Sequence, residues 1–139
     1  HIVLDLLTPF RLRANPTIHI VGGLLGQWAV WTRRAVELHA ECRKLVLRGS
    51  PVPAGLLVVA GQLTDANAAI FDASHAYAGC VPGIHEVLRR QGLLAGTWCL
   101  RADETLSPGQ REHIDRVLAD YPHLTDDTFV AEHRDGWLA

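Results

Sequence analysis

Eight histidines, three cysteines, serines at 50, 74 and 107 and one lysine, Lys44, are the side chains of this 139-residue chain that could supply metal, nucleophilic or acid–base chemistry. The histidines at 39, 75, 85, 113, 123 and 133 form neither H-E-x-x-H nor any other compact ligand motif, so no metal is expected. His85-Glu86 and His113-Ile114-Asp115 read instead as helix-surface groups or as partners in hydrogen bonds between helices. None of the serines lies in the G-x-S-x-G elbow of a serine nucleophile. Cys80, between Gly79 and Val81, reads as an inert core thiol. Lys44, with Glu41 and Glu37 one and two turns before it, is in the wrong setting for an amine nucleophile, because acidic neighbours keep an ammonium protonated. Gly22-Gly23-Leu24-Leu25-Gly26 lacks the order of a dinucleotide or phosphate loop. Glycines between a strand and a helix let backbone approach a ligand closely, and they equally permit tight packing of Trp28 or Trp31. Both readings stay open.

These groups must be positioned by ordinary globular material. The chain is 48% apolar and 20% charged, with 13 basic against 15 acidic side chains. That balance lacks the basic footprint of a nucleic-acid or anionic-membrane binder. No apolar run reaches the roughly 18 residues of a membrane span. Cys42, Cys80 and Cys99 are far apart and fit reduced thiols, which sets the cytoplasm as the expected compartment. The sequence holds no methionine and opens on the apolar run His1 to Leu7, which reads as a chain starting inside a domain.

Ile2 to Leu7, ended by Thr8-Pro9, predicts a strand buried on both faces, and Thr17 to Leu25 after the Asn15-Pro16 turn predicts a second. Together they suggest a parallel sheet. Trp28, Trp31, Ala35, Leu38, Cys42 and Leu45 then form a helical stripe ended by Gly49. Leu56, Val59, Leu63, Ala66 and Ile70 predict a helix after Pro53, despite the strand propensity of Leu56 to Val59. Pro82 suits the first turn of a helix capped at Gly92. Ser107-Pro108-Gly109-Gln110 matches a capping box opening a helix to about Asp120. Thr125-Asp126-Asp127 places a cap and two acids at the start of a last helix carrying Phe129, Val130 and Trp137.

Four segments carry a family resemblance: Phe71-Asp72-Ala73, Val81-Pro82-Gly83-Ile84-His85-Glu86-Val87-Leu88, Gly92-Leu93-Leu94-Ala95-Gly96 and Leu106-Ser107-Pro108. In this order they resemble the C-terminal helical region of the dihydrodipicolinate synthase / N-acetylneuraminate lyase family. Extended backwards, the likeness covers almost the whole chain. Thr17 to Trp31 resembles the eighth barrel strand with its loop, Ile2 to Thr8 the seventh strand, and the helix from Trp28 the eighth barrel helix. The family's usual lysine after the proline is absent from Pro82-Gly83-Ile84-His85.

The resemblance implies an α/β fold, the C-terminal portion of a (β/α)8 TIM barrel. Residues 1–48 would hold its last two strands and last helix, and 49–139 a C-terminal helical region. It implies a class I aldolase or lyase that forms a Schiff base with pyruvate or another 2-oxo acid, needs no cofactor and is a homo-oligomer when complete. The catalytic lysine and its tyrosine partner would lie upstream of this chain, which itself contributes no catalytic residue. Because barrel sites sit at the C-terminal ends of strands, Asp5, Thr8, Gly22, Gly23 and Gln27 are the expected substrate-binding residues. The alternative is a small helical binding module without catalysis. No membrane or nucleic-acid partner is expected under either reading.

Overall fold

The computed structural model describes residues 2–13, 16–24 and 26–139, and the side chain of Gln27 lies outside that description, as do His1, Asn15 of the expected turn and Leu25 of the expected second strand. Among the described residues the chain is mostly helical, with one small two-stranded antiparallel sheet.

The first expected strand is a helix, α1 (Ile2–Leu7). Val3 and Leu6, three residues apart, turn to the core, whereas strand alternation would have grouped Leu4 with Leu6. A six-residue apolar run fits both periods, and packing against the helices that follow decides between them. Strands β1 (Pro9–Arg11) and β2 (Thr17–His19) pair antiparallel, with Phe10 opposite Ile18. The expected parallel sheet is absent because its first strand is α1; β2 pairs instead with Pro9–Arg11, and the intervening residues 12–16 are too few for a parallel crossover, which needs a dozen or more. The second expected strand is also shorter than Thr17 to Leu25. All three residues of β2 are exposed, as are the neighbouring Leu12, Ile20, Val21 and Leu24.

A 3-10 turn (Gln27–Ala29) leads into α2 (Thr32–Arg48). Trp31 caps its start in the left-handed conformation, φ 54° and ψ 32°, and Gly49 ends it with φ 59°. Gly49 N–H donates to Val46 O and Ser50 N–H to Leu45 O, the Schellman pattern that glycine allows. The helix from Pro53 is present as α3 (Ala54–Ile70), burying Leu56, Leu63, Ala66 and Ile70 on one side. Its helical spacing has overridden the strand propensity of Leu56 to Val59.

Next come α4 (Cys80–Arg90), with Pro82 in its first turn, α5 (Gln110–Asp120) and α6 (Asp127–Trp137). α5 starts three residues after the expected Ser107 cap. Half of the capping box survives, since Gln110 Oε1 accepts from Ser107 N–H at 3.0 Å. The hydroxyl half is diverted, because Ser107 Oγ donates instead to Asp72 Oδ2 at 2.5 Å.

α3 is the central element, packed against α1 and also against α4 and α5. Ile70, Val87, Ile114 and Val117 are fully buried where α3, α4 and α5 meet. The accessible surface is 8659 Å² for 15.3 kDa. A compact monomer of that mass exposes about 7,100 Å².

Candidate functional site

Gly22 and Gly23, between β2 and the 3-10 turn, form one wall of a cavity of about 260 Å³, with α1 and α2 as the others. Ile2, Val3 and Leu6 line it from α1, Gly22 and Gly23 from the loop, and Trp28 beyond them. His39, from α2, anchors the loop: its Nε2 is 2.7 Å from Val21 O. A carbonyl oxygen only accepts, so Nε2 is the donor in this bond. Thr32 Oγ1 donates to Trp28 O at 2.6 Å, fixing the turn behind the indole.

The three glycines divide between the two readings of the sequence. A Cβ on Gly26 would stand 2.6 Å from Trp28 Cε2 and 2.7 Å from Nε1, and one on Gly23 would stand 3.0 Å from Ile2 Cδ1. Those two glycines serve packing. A Cβ on Gly22 would meet nothing within 4 Å, so its backbone is the part of the loop open to an approaching molecule. Trp28 Nε1 is buried and has no hydrogen-bond acceptor among the described residues.

Of the five expected binding residues, Gly22 and Gly23 line this cavity. Asp5 and Thr8 do not follow a strand, because Ile2–Leu7 is helical. Asp5 is half-buried within α1, and Thr8 closes the helix by donating from Oγ1 to Leu4 O at 2.6 Å. Gln27 opens the 3-10 turn, and its side chain lies outside the described residues.

A second polar constellation was not legible in the sequence. Asp72, at the end of α3 and left-handed at φ 59°, is 2% exposed. Its carboxylate accepts from Ser107 Oγ at 2.5 Å and Gly79 N–H at 3.0 Å, and it pairs with His75 Nδ1 at 2.6 Å. Burial alone would raise its pKa, but the bonds from Ser107, His75 and Gly79 outweigh burial and hold it below the usual value. Buried Gln110 completes the knot by donating from Nε2 to Ile70 O at 3.1 Å and Gly79 O at 2.9 Å. Ser107 and His75 bind the same carboxylate, whereas nucleophilic relay requires the imidazole between hydroxyl and acid. The arrangement positions α3, α4 and α5.

Glu86, expected at a helix surface or in an interhelix bond, is fully buried. Arg89 bridges both its oxygens at 2.9 Å, Arg90 donates at 2.9 Å, and Arg111 reaches across from α5 at 3.1 Å. These bonds, led by Arg89 and opposed by burial, lower its pKa to about 2.

Cys99 Sγ lies 3.8 Å from His85 Nδ1, but burial and the Glu104 charge raise the pKa of this thiol and of Cys80. Neither is poised as a thiolate. Lys44 is exposed on α2. Glu37, read as its neighbour, is engaged by Arg33 and Arg34. Compared with protein-family models, curated proteins and solved structures, the chain matches none.

Proposed function

We propose that the chain is the C-terminal part of a (β/α)8 barrel of the dihydrodipicolinate synthase type, a cytoplasmic class I lyase acting on pyruvate or a related 2-oxo acid. The observation that carries the reading is β2 with its flanks: an apolar segment, Ile18, Ile20 and Val21, exposed and followed by a glycine loop and a long helix. An open, apolar strand edge calls for neighbouring strands, and a barrel supplies them. α1 then stands as the helix preceding β2, not as a strand, and it packs against α2 as consecutive outer helices of a barrel do. Three of the resemblance segments also support the reading, because Ser107 hydrogen-bonds to Asp72 and Gly83 packs beside them against Ile70 O and Gln110.

In such an enzyme a lysine amine adds to the 2-oxo carbonyl and expels water to give an imine, which then accepts electrons from the breaking carbon–carbon bond. The lysine belongs to a strand outside this chain. The chain's own contribution is the open backbone at Gly22, one wall of the barrel mouth. The test is borohydride trapping with pyruvate on the protein encoded by the complete gene, read by peptide mass. One reduced adduct at a lysine outside this chain is expected. Labelling of Lys44, or no adduct, overturns the lyase reading and favours a binding module.

A further inference from the structure

We propose that Arg89, Arg90 and Arg111, gathered around Glu86, bind the phosphoryl group of a small phosphorylated molecule. The proposal is independent of the lyase reading and uses no residue of the loop cavity. Glu86 Oε1 alone accepts from Arg89 Nη2 at 2.9 Å, Arg90 Nε at 2.9 Å and Arg111 Nη1 at 3.1 Å. Guanidiniums from α4 and α5 thus converge on one atom.

That carboxylate is fully buried, while the three arginine side chains are 40%, 24% and 53% exposed. Glu86 therefore holds the guanidiniums from the buried side and leaves part of each to solvent. Arg89 and Arg90 each commit two nitrogens to an acid and Arg111 commits one. Their remaining N–H donors meet no acceptor among the described residues. The planar guanidinium fork matches phosphate oxygens, and side chains already fixed by other bonds lose less freedom when they bind.

The charges select for a dianion. Three cations meet two carboxylates, Glu86 and Asp115, so the cluster is positive in a chain whose formal net charge is -2. The two acids are not equivalent. Glu86 is locked by all three arginines, whereas Asp115 is 57% exposed and is held by Arg90 alone, at 2.5 Å. An exposed carboxylate on Arg90 is a tethered oxyanion that an incoming phosphate displaces. With Asp115 turned away, two positive charges are left uncompensated, and a dianionic phosphoryl group balances them where a carboxylate ligand would balance one.

Inorganic phosphate at about pH 8, where the dianion predominates, is the probe. It is titrated calorimetrically into the protein encoded by the complete gene, with chloride and acetate at matched ionic strength as the comparison. One phosphate per chain is expected, with a dissociation constant of about 1 mM, the worth of two charge-assisted bonds, and no saturable binding of acetate. Asp115→Asn should tighten phosphate several-fold by removing its competitor, and Arg111→Gln should weaken it several-fold with helicity unchanged. Asp103→Asn removes the same charge from an exposed pair with Arg101 and should leave the affinity as it was. Absence of saturable phosphate binding overturns the proposal, as does acetate binding of equal strength. So does an affinity that Asp115→Asn leaves unaltered, or that Asp103→Asn raises equally, either of which would assign the arginines to the burial of Glu86 alone.

Discussion

Glu86 and Asp72 are carboxylates at buried positions, and each holds together parts of the chain far apart in sequence. Glu86 has three guanidinium partners whose own heads stay partly solvated, so desolvation is shared unequally and the carboxylate bears most of it. Its pKa falls from 4.5 to about 2 in the folded state. A depressed carboxylate contributes stability that is complete above the unfolded value and lost as pH falls through the folded one. Acid titration followed by urea denaturation should therefore show stability falling from about pH 4.5 towards pH 2. Glu86→Gln should remove much of that slope and cost about 3 kcal/mol at neutral pH. An unchanged acid profile in the variant would show that other carboxylates govern it. The sequence identified Glu86 as a polar helix residue but not as a buried one, since nothing local distinguishes it from an exposed i, i+3 partner of Arg89. Arg111, which comes from another helix, makes the difference.

At the scale of elements, the contacts between α3, α4 and α5 are set by glycines as much as by apolar side chains. A Cβ on Gly83 would fall 1.9 Å from Ile70 O and 2.6 Å from Gln110 Nε2, so α4 approaches the end of α3 at backbone distance. Gly61, within α3, faces open space. The same substitution should act with opposite sign at the two sites. Gly83→Ala should cost about 3 kcal/mol by forcing the helices apart and breaking the Gln110 bonds. Gly61→Ala should stabilise by about 0.5–1 kcal/mol, because alanine loses less backbone freedom in a helix. Chemical denaturation of the two variants reads both values, and destabilisation by Gly61→Ala would mean that its face is covered. The long helices were legible because their stripes repeat over several turns. The starts of α2 and α5 were harder to read. Trp28 and Trp31 precede α2 and do not continue its stripe in helical geometry, and Ser107 spends its hydroxyl on Asp72.

For the molecule as a whole, the surface exceeds that of a compact chain of equal mass by about 1,500 Å², and a visible part of the excess is the apolar segment around β2. Local opening should follow this asymmetry. Amide exchange at 17–21 is expected to be orders of magnitude faster than at Ile70 and Val117, where α3 and α5 are locked together. Slow exchange at Ile18 and Ile20 in this chain would contradict the open edge and, with it, the need for neighbouring strands.

The sequence by itself determined α3, α4, α6 and the body of α2, along with the glycine stop of α2, because those signals are local: apolar residues recurring at helical spacing and residues suited to left-handed or first-turn backbone. It also located the loop at Gly22 and Gly23. Only the tertiary structure decided that Ile2–Leu7 is a helix, that β1 and β2 are antiparallel, and that Asp5 and Thr8 stand apart from the loop cavity. A six-residue apolar run carries no period of its own, so what it packs against chooses its conformation. The burial of Asp72, Gln110 and Glu86 was decided in the same way, since a polar side chain is stable inside only when partners from distant segments satisfy it, and those partners are brought together by the fold.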